Sequence, residues 1–208
     1  MIEMAHVNYS LAKYGSFRFD AGSVSLDFAA TVRHRGSRPR DLLSDSARLA
    51  QWLRDAGLLE DPPMPSDEEH QMALALRESI HASVHAVVLQ EKLETADIAR
   101  LNGIAALPIA APQLAGSSPA LSWRAEMPIL SALASIARDA VTLVGTADRR
   151  RLKVCRHRDC RMLFLDASPR NSRRWCAMSI CGNREKVAAH RRRLRNKTIG
   201  GSLRACLF

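Results

Sequence analysis

Two identical pairs of cysteines near the carboxyl end constrain the fold of this chain more than any other feature. Both pairs have the spacing C-x4-C, and fifteen residues separate them; the four members are Cys155, Cys160, Cys176 and Cys181. Because a reducing cytosol disfavours disulfides, two short-spaced thiol pairs predict a single tetrahedral zinc site. Each loop can turn both of its sulfurs toward one point, and zinc accepts four thiolates without a ligand-field preference.

The predicted zinc is structural, with one ion per chain. Four cysteine ligands fill a tetrahedral ion completely, whereas a catalytic zinc keeps a position open for water or substrate. Two alternatives remain open at this point: free thiols without a metal, and a ligand role for His157, which lies inside the first pair. A unit of about forty residues cannot bury enough apolar surface by itself, so the metal is expected to hold it together around Phe164 and Trp175.

Positive charge is concentrated around and after the cysteines. The chain has 31 basic and 21 acidic residues; residues 149–208 contain 18 of the basic and 3 of the acidic ones and carry a net charge of +15, whereas residues 1–148 carry −5. Such asymmetry is typical of a protein whose partner has dense negative charge. Nucleic acid is therefore the first candidate partner.

The sequence after the last cysteine predicts a basic helix over residues 183–197, with Asn183 as its N-cap and Gly200-Gly201 as its stop. Val187 and Leu194 are expected to pack against the finger while the arginines point outward. The residues predicted to contact nucleic acid lie on this helix and in the loop before the third cysteine. They are Arg170, Arg173, Arg174, Arg184, Lys186, Arg191, Arg192, Arg193 and Arg195.

The stretch CRHRDCRMLFLDASPRNSRRWCAMSICGNREKVAAHRRR resembles the CGNR-type zinc finger, which is named for the Cys181-Gly182-Asn183-Arg184 run. Phe164, Asp166, Ser168 and the Arg174-Trp175-Cys176 run also stand at the spacing of that finger. The resemblance covers about forty residues without a gap, and it implies a zinc held by the four cysteines.

Residues 19–59 are similar to the start of the ABATE domain, which usually precedes this finger in a bacterial family of stress-induced transcription regulators. The positions that match are Gly22, Leu26, Asp27, Phe28, Thr31, Asp41, Leu42, Leu43 and Trp52. The chain departs from the pattern at Ala30, where the family usually has Asn, so no role of that Asn is carried over.

Apolar periodicity predicts that the part of the chain before the cysteines is mostly helical. Ser66 and Glu69 form a capping-box pattern that opens a long helix, and Pro128 opens another that ends near Val144. The expected fold is mainly α: a helical N-terminal domain over residues 1–148 with a small β-hairpin, then a four-cysteine zinc finger over 149–208 that ends in a basic helix. The short junction predicts that the finger packs against this body.

Two β segments are expected in the body. A weak hairpin is predicted between strands near Leu114 and Leu121, with its turn at Gly116-Ser117-Ser118. The alternation from Phe17 to Phe28 predicts a strand or hairpin near the amino end.

Together these features predict a cytoplasmic bacterial transcription regulator. No stretch approaches about 18 consecutive apolar residues, no signal peptide is evident, and no catalytic or nucleotide-binding motif appears, so neither a membrane nor an enzymatic role is expected. The finger and its Arg-rich helix would bind DNA, while the N-terminal domain would sense a small-molecule effector or assemble, with a homodimer favoured by base rates. The alternatives are an RNA- or ribosome-binding zinc module and a zinc-dependent protein–protein assembly module.

Overall fold

The computed structural model describes residues 17–114 and 120–204, with side chains up to residue 194. Its helices are α1 (Val24–Ala29), α2 (Ser46–Asp55), α3 (Asp67–Leu89), α4 (Thr95–Ala105), α5 (Pro128–Gly145) and α6 (Asn183–Arg204). Its strands form three antiparallel pairs: β1 (Val32–Arg33) with β2 (Arg40–Asp41), β3 (Ala111–Leu114) with β4 (Leu121–Arg124), and β5 (Leu152–Val154) with β6 (Leu163–Leu165). The predicted class, mainly helical with a zinc finger followed by a helix, is confirmed.

The core of the body lies between the long helices α3 and α5, with α1 and α4 packed against both. The predicted capping box is confirmed: the Ser66 hydroxyl accepts from the Glu69 amide, and the Glu69 carboxylate accepts from the Ser66 amide. Both long helices have the length and apolar composition of a membrane span, with 39% and 50% of that stretch buried inside the protein. Because Leu76 and Leu133 are fully buried against neighbouring helices, these are core helices.

The strand or hairpin predicted from Phe17 to Phe28 is wrong, because residues 17–23 contain no strand and helix α1 begins at Val24. Ser23 is its N-cap and accepts a hydrogen bond from the Leu26 amide at 3.4 Å. Residues 25–29 are all buried. A short helix buried on every side has no polar face, so its sequence lacks the 3.6-residue period that normally indicates a helix.

The hairpin β3–β4 forms where it is predicted, with Leu114 paired to Leu121. The expected turn at Gly116-Ser117-Ser118 lies outside the described residues. Leu114, Leu121 and Trp123 are exposed, so this hairpin adds little to the core.

The finger packs against the body, as the short junction predicts. A 3-10 turn, Ala147–Arg151, leads from α5 directly into β5. The Leu165 amide then donates to the Ala21 carbonyl at 2.7 Å, which adds the edge of β6 to the chain before α1. Leu163 and Phe164 are buried in the same apolar cluster as the body residues. The two regions therefore share one continuous core.

The basic helix differs from its prediction at both ends. Asn183 is not the N-cap: a π-helical turn, Met178–Gly182, precedes it, and its side chain donates to the Ser179 carbonyl at 3.0 Å. The backbone helix continues through Gly200-Gly201. The expectation that Val187 and Leu194 pack against the finger is also wrong, since they are 49% and 52% exposed. Among the elements described, α6 packs chiefly on the π-helical turn that precedes it.

Candidate metal centre and basic surface

The four cysteines come from two tight turns that face each other. The first pair flanks the turn of hairpin β5–β6, where the Cys155 amide donates to the Met162 carbonyl at 2.8 Å. The second pair lies in the loop and π-helical turn that lead into α6, where the Cys181 amide donates to the Ala177 carbonyl. A backbone hydrogen bond of 3.0 Å from Arg156 to Arg174 joins the two turns. Local hydrogen bonds thus orient all four thiols.

The sulfurs converge on one point with the spacing of a tetrahedral zinc site. All four lie within 4.8 Å of one another, and Cys176 Sγ is 3.7 Å from both Cys160 Sγ and Cys181 Sγ. Four sulfurs at about 2.3 Å from one zinc lie about 3.8 Å apart at tetrahedral angles. A disulfide would require a separation near 2.05 Å, so the arrangement fits a metal and not a bridge. His157 is not part of this group in the described chain.

The four thiols interact strongly with one another. Their mutual hydrogen bonds hold the pKa of Cys155 far below its usual range and raise the pKa values of Cys160 and Cys181 well above it, so the group shares its protons as one unit. Three of the cysteines are buried and Cys160 is half-buried. Zinc binds the deprotonated sulfur, so a crowded group of thiols of this kind is matched to a dication.

Gly182, the second residue of the CGNR run, lies in close contact with two side chains of the finger. A Cβ at this position would lie 2.4 Å from the Met178 sulfur and 3.2 Å from the Trp175 ring. These contacts form beside Cys181 in the π-helical turn, where such turns commonly mark functional positions. A larger residue would require the Met178 side chain to move and would crowd the Trp175 ring.

A buried carboxylate connects the remaining loops of the finger. Asp166 is fully buried, and its oxygens accept from Lys153 Nζ at 2.6 Å, from both the amide and hydroxyl of Ser168, and from the Arg173 amide at 2.7 Å. Burial by itself would raise the pKa of Asp166, but the hydrogen bonds from Lys153 and Ser168 outweigh it and hold the pKa well below its usual range. The sequence places Asp166 in the family pattern, but only the structure shows that it joins β5, β6 and the following loop.

Two arginines of the body lie close to the metal centre. The Arg18 guanidinium lies 3.8 Å from Cys176 Sγ and also pairs with the Asp20 carboxylate. A second arginine of the body, Arg33, lies near enough to Cys160 and Cys176 to interact with them electrostatically. Four thiolates and one zinc carry a net charge of about −2, which nearby guanidinium groups offset. Sequence spacing gave no signal for this contact, because 158 positions separate Arg18 from Cys176.

Two known families match the chain in ranges that do not overlap. Residues 151–194 match the CGNR zinc finger, and residues 22–147 match ABATE, described as "Putative stress-induced transcription regulator". The chain belongs to the ABATE family. No curated protein matches it. The predicted family and the structural zinc are therefore confirmed, since the matched finger contains all four converging cysteines. The exact boundary at residue 148 stays a prediction.

The loop arginines of the CGNR finger differ in how they are engaged. Arg170 is exposed, and Arg174 is exposed with its guanidinium 5.3 Å from the centre of the Trp175 ring. Arg173 is half-buried: its guanidinium lies 5.0 Å from the Phe164 ring centre and donates to the Cys176 carbonyl. Arg173 thus stabilises the finger, whereas Arg170 and Arg174 present their charge to solvent.

The predicted contact residues on α6 lie mostly in solvent. Lys186, Arg191 and Arg193 are exposed, and Arg192 pairs with Glu185 at 2.9 Å. Arg184 is half-buried. The side chain of Arg195 lies outside the described part of the structure.

A groove of about 840 Å³ separates α6 from the turn of the first cysteine pair. Arg156 and Arg158 line one wall, and Arg191 and Arg192 line the other. A second groove of about 550 Å³ runs along an adjoining side of α6, past Val187, and shares Ala188 and Arg191 with the first. The sequence-based set of contact residues missed Arg156 and Arg158, because they lie between ligands of the first pair and their position opposite α6 depends on the fold.

Proposed function

We propose that this protein is a cytoplasmic bacterial transcription regulator that binds duplex DNA through its CGNR finger and basic helix. The observation that carries the proposal is the arrangement of cationic side chains around a zinc-fixed helix start. The centre lies directly before α6, and Arg170, Arg174, Lys186, Arg191 and Arg193 are exposed in the loop before Trp175 and along the helix. Such side chains can neutralise backbone phosphates, and a helix can enter the major groove.

The proposed role is binding rather than catalysis. Four protein thiolates complete the coordination of the zinc, which leaves no position for water or substrate. The metal then acts by fixing geometry: it holds the two turns together and sets the direction in which α6 leaves the finger. A homodimer and a small-molecule effector bound by the helical body remain predictions of this proposal.

The test is the affinity for a short duplex DNA as a function of salt concentration. Each phosphate contact releases condensed counterions. A plot of the logarithm of the binding constant against the logarithm of salt concentration therefore has a slope of about −0.9 for each contact. Five contacts would weaken binding about 500-fold between 50 and 200 mM salt. A slope near zero would exclude phosphate contacts and contradict the proposal.

Two further measurements separate DNA binding from the alternatives. Competition between duplex DNA and structured RNA at fixed salt shows which polyanion the surface prefers, because A-form RNA presents a deep and narrow major groove that excludes a helix. If structured RNA displaces bound DNA at a much lower concentration than competing duplex DNA does, the protein is an RNA-binding module and the DNA-binding proposal is wrong. If neither nucleic acid binds and a protein partner does, the finger is an assembly module.

A further inference from the structure

The body contributes a hairpin to the basic surface of the finger. The tip of hairpin β1–β2 touches the turn of the first cysteine pair at Gly36. A Cβ on Gly36 would lie 2.1 Å from the Arg158 carbonyl oxygen and 2.5 Å from the Arg161 side chain. Only glycine allows the two backbones to approach this closely. The hairpin tip and the finger therefore form one continuous surface.

Two arginines of this hairpin are exposed and uncompensated. Arg38 is two residues from Gly36, so its Cα lies within about 7.6 Å of the contact, and Arg40 follows on β2. Both are exposed, and within the described residues neither side chain forms a hydrogen bond or ion pair. Their positive charge is available to a partner.

The nearby acidic groups are already neutralised by other residues. Arg35 binds the Glu78 carboxylate through two hydrogen bonds of 2.8 and 3.0 Å. Arg77, which is buried, binds the Asp41 carboxylate in the same bidentate way, at 2.6 and 2.8 Å. The local carboxylates therefore leave the charges of Arg38 and Arg40 unopposed.

The turn that the hairpin touches is itself basic. Arg156, Arg158 and Arg161 are exposed, with the Arg158 side chain 92% accessible. Its closest carboxylate, Asp159, is 3.6 Å away, which at such exposure is a weak interaction. Arg156 and Arg158 also line the groove that faces α6. Exposed cations thus extend from the body hairpin across the turn to the basic helix, and Asp159 and Glu185 are the acidic residues that line the same groove.

We infer that hairpin β1–β2 of the body is part of the nucleic-acid-binding surface, with Arg38 and Arg40 contacting the phosphate backbone beyond the finger. This inference rests on the proposed function. A small anion could satisfy only one or two of these guanidinium groups, whereas a nucleic acid strand presents phosphates at regular intervals along the whole surface. Clustered like charges repel one another, and an extended polyanion is the partner that relieves the repulsion along the full length.

The experiment compares the full-length protein with the double variant Arg38→Ala/Arg40→Ala, measuring duplex DNA affinity over a range of salt concentrations. Loss of two phosphate contacts is expected to reduce the salt slope by about 1.8. The double variant Arg38→Lys/Arg40→Lys should restore the slope, because an ammonium can still pair with a phosphate. Arg124→Ala/Lys92→Ala removes two exposed charges from other elements of the body and is the matched control.

The outcomes separate this inference from the proposed function. If the wild-type slope is steep and Arg38→Ala/Arg40→Ala changes it no more than the control does, the hairpin is not a contact surface and the inference is wrong, while the proposed function stands. If the affinity of the wild type does not change with salt concentration, the proposed function is wrong, and the inference that rests on it is wrong as well. Thermal unfolding of each variant shows whether a lost contact reflects lost structure. If the alanine variant unfolds, Arg38→Gln/Arg40→Gln removes the same two charges and keeps long side chains, and it must lower the salt slope by about 1.8 for the inference to stand.

Discussion

The helical body and the CGNR finger are stabilised by different means within one continuous core. The body buries long helices against each other, with Trp52, Phe28 and Leu76 fully enclosed. The finger has two strands of three residues each, and its fully or nearly fully buried side chains include three of the cysteines and Asp166. Burial of apolar area stabilises the first region, and a metal with polar connections stabilises the second. The two regions should therefore respond to different perturbations.

The largest effect should follow removal of the zinc. Cys176→Ser removes one of the four thiolate ligands, and zinc content is expected to fall from one per chain to near zero. Structural zinc supplies about 10–16 kcal/mol of apparent binding energy in small fingers, so its loss should unfold the finger. Most of the helical circular dichroism should remain, since the body buries its own long helices against each other. Elemental analysis and circular dichroism measure the two effects.

Cys206→Ser is the matched control, because it removes the remaining cysteine, which lies outside the proposed ligand set. It should retain the zinc. If Cys176→Ser unfolds the body as well, the two regions form one cooperative unit and the contrast between them is lost. If Cys176→Ser retains the metal, the four-thiolate site itself is wrong.

The next largest effect should come from Asp166→Ala. Removal of one partner of a fully buried ion pair typically destabilises by about 3–5 kcal/mol. Because the Lys153 side chain is 24% accessible, a smaller loss of about 1–3 kcal/mol is expected here. Here the Lys153 ammonium would lose its carboxylate, and the loop containing Arg173 would lose its anchor. We expect faster zinc transfer to a chelator and a lower unfolding midpoint for the finger. The control Asp159→Ala removes a carboxylate of the same finger that is 43% exposed, and it should change the midpoint little.

A smaller effect is expected for Arg18→Leu, which tests the connection between the regions. Outer-sphere partners of metal ligands commonly contribute 10- to 100-fold in metal affinity. Loss of the guanidinium near Cys176 should therefore lower zinc affinity within that range in a competition with a chromophoric chelator. Arg54→Leu is the control, because Arg54 pairs with Asp61 on the surface of the body. An unchanged zinc affinity in Arg18→Leu would show that the finger holds its metal without help from the body.

The sequence predicted those features that depend on neighbouring residues. The capping box of α3, the hairpin β3–β4 and the thiol pairs are all local patterns, and the structure contains each of them. Helix α1 was mistaken for a strand because a fully buried short helix has no amphipathic period. The contacts of Arg18 with Cys176 and of Gly36 with Arg158 join distant parts of the chain, and no spacing rule reports them.

The smallest predicted effect concerns the buried carboxylate of the body. Asp27, 5% exposed, accepts a hydrogen bond from the Ala21 amide at 2.8 Å and has no cation bound to it in the described structure. Burial raises its pKa to about 8, in contrast to Asp166, whose pKa is lowered. Between about pH 4 and pH 8 the folded protein thus keeps a proton that the unfolded chain releases, so this group lowers stability progressively as pH rises.

Asp27→Asn removes that titration while it keeps an oxygen to accept from Ala21. The variant should gain about 0.5–2 kcal/mol over the wild type at pH 8, a range common for single stabilising changes, and the gain should shrink toward pH 4. Urea unfolding at several pH values gives the free energy of unfolding of both proteins. Subtracting one from the other removes the pH dependence of zinc binding, because both proteins share it. Asp166 should act in the opposite sense, since its contribution is complete above about pH 4 and is lost below it. A gain for Asp27→Asn that is constant with pH would show that Asp27 is ionised in the folded body, and that the two buried carboxylates do not differ as their surroundings require.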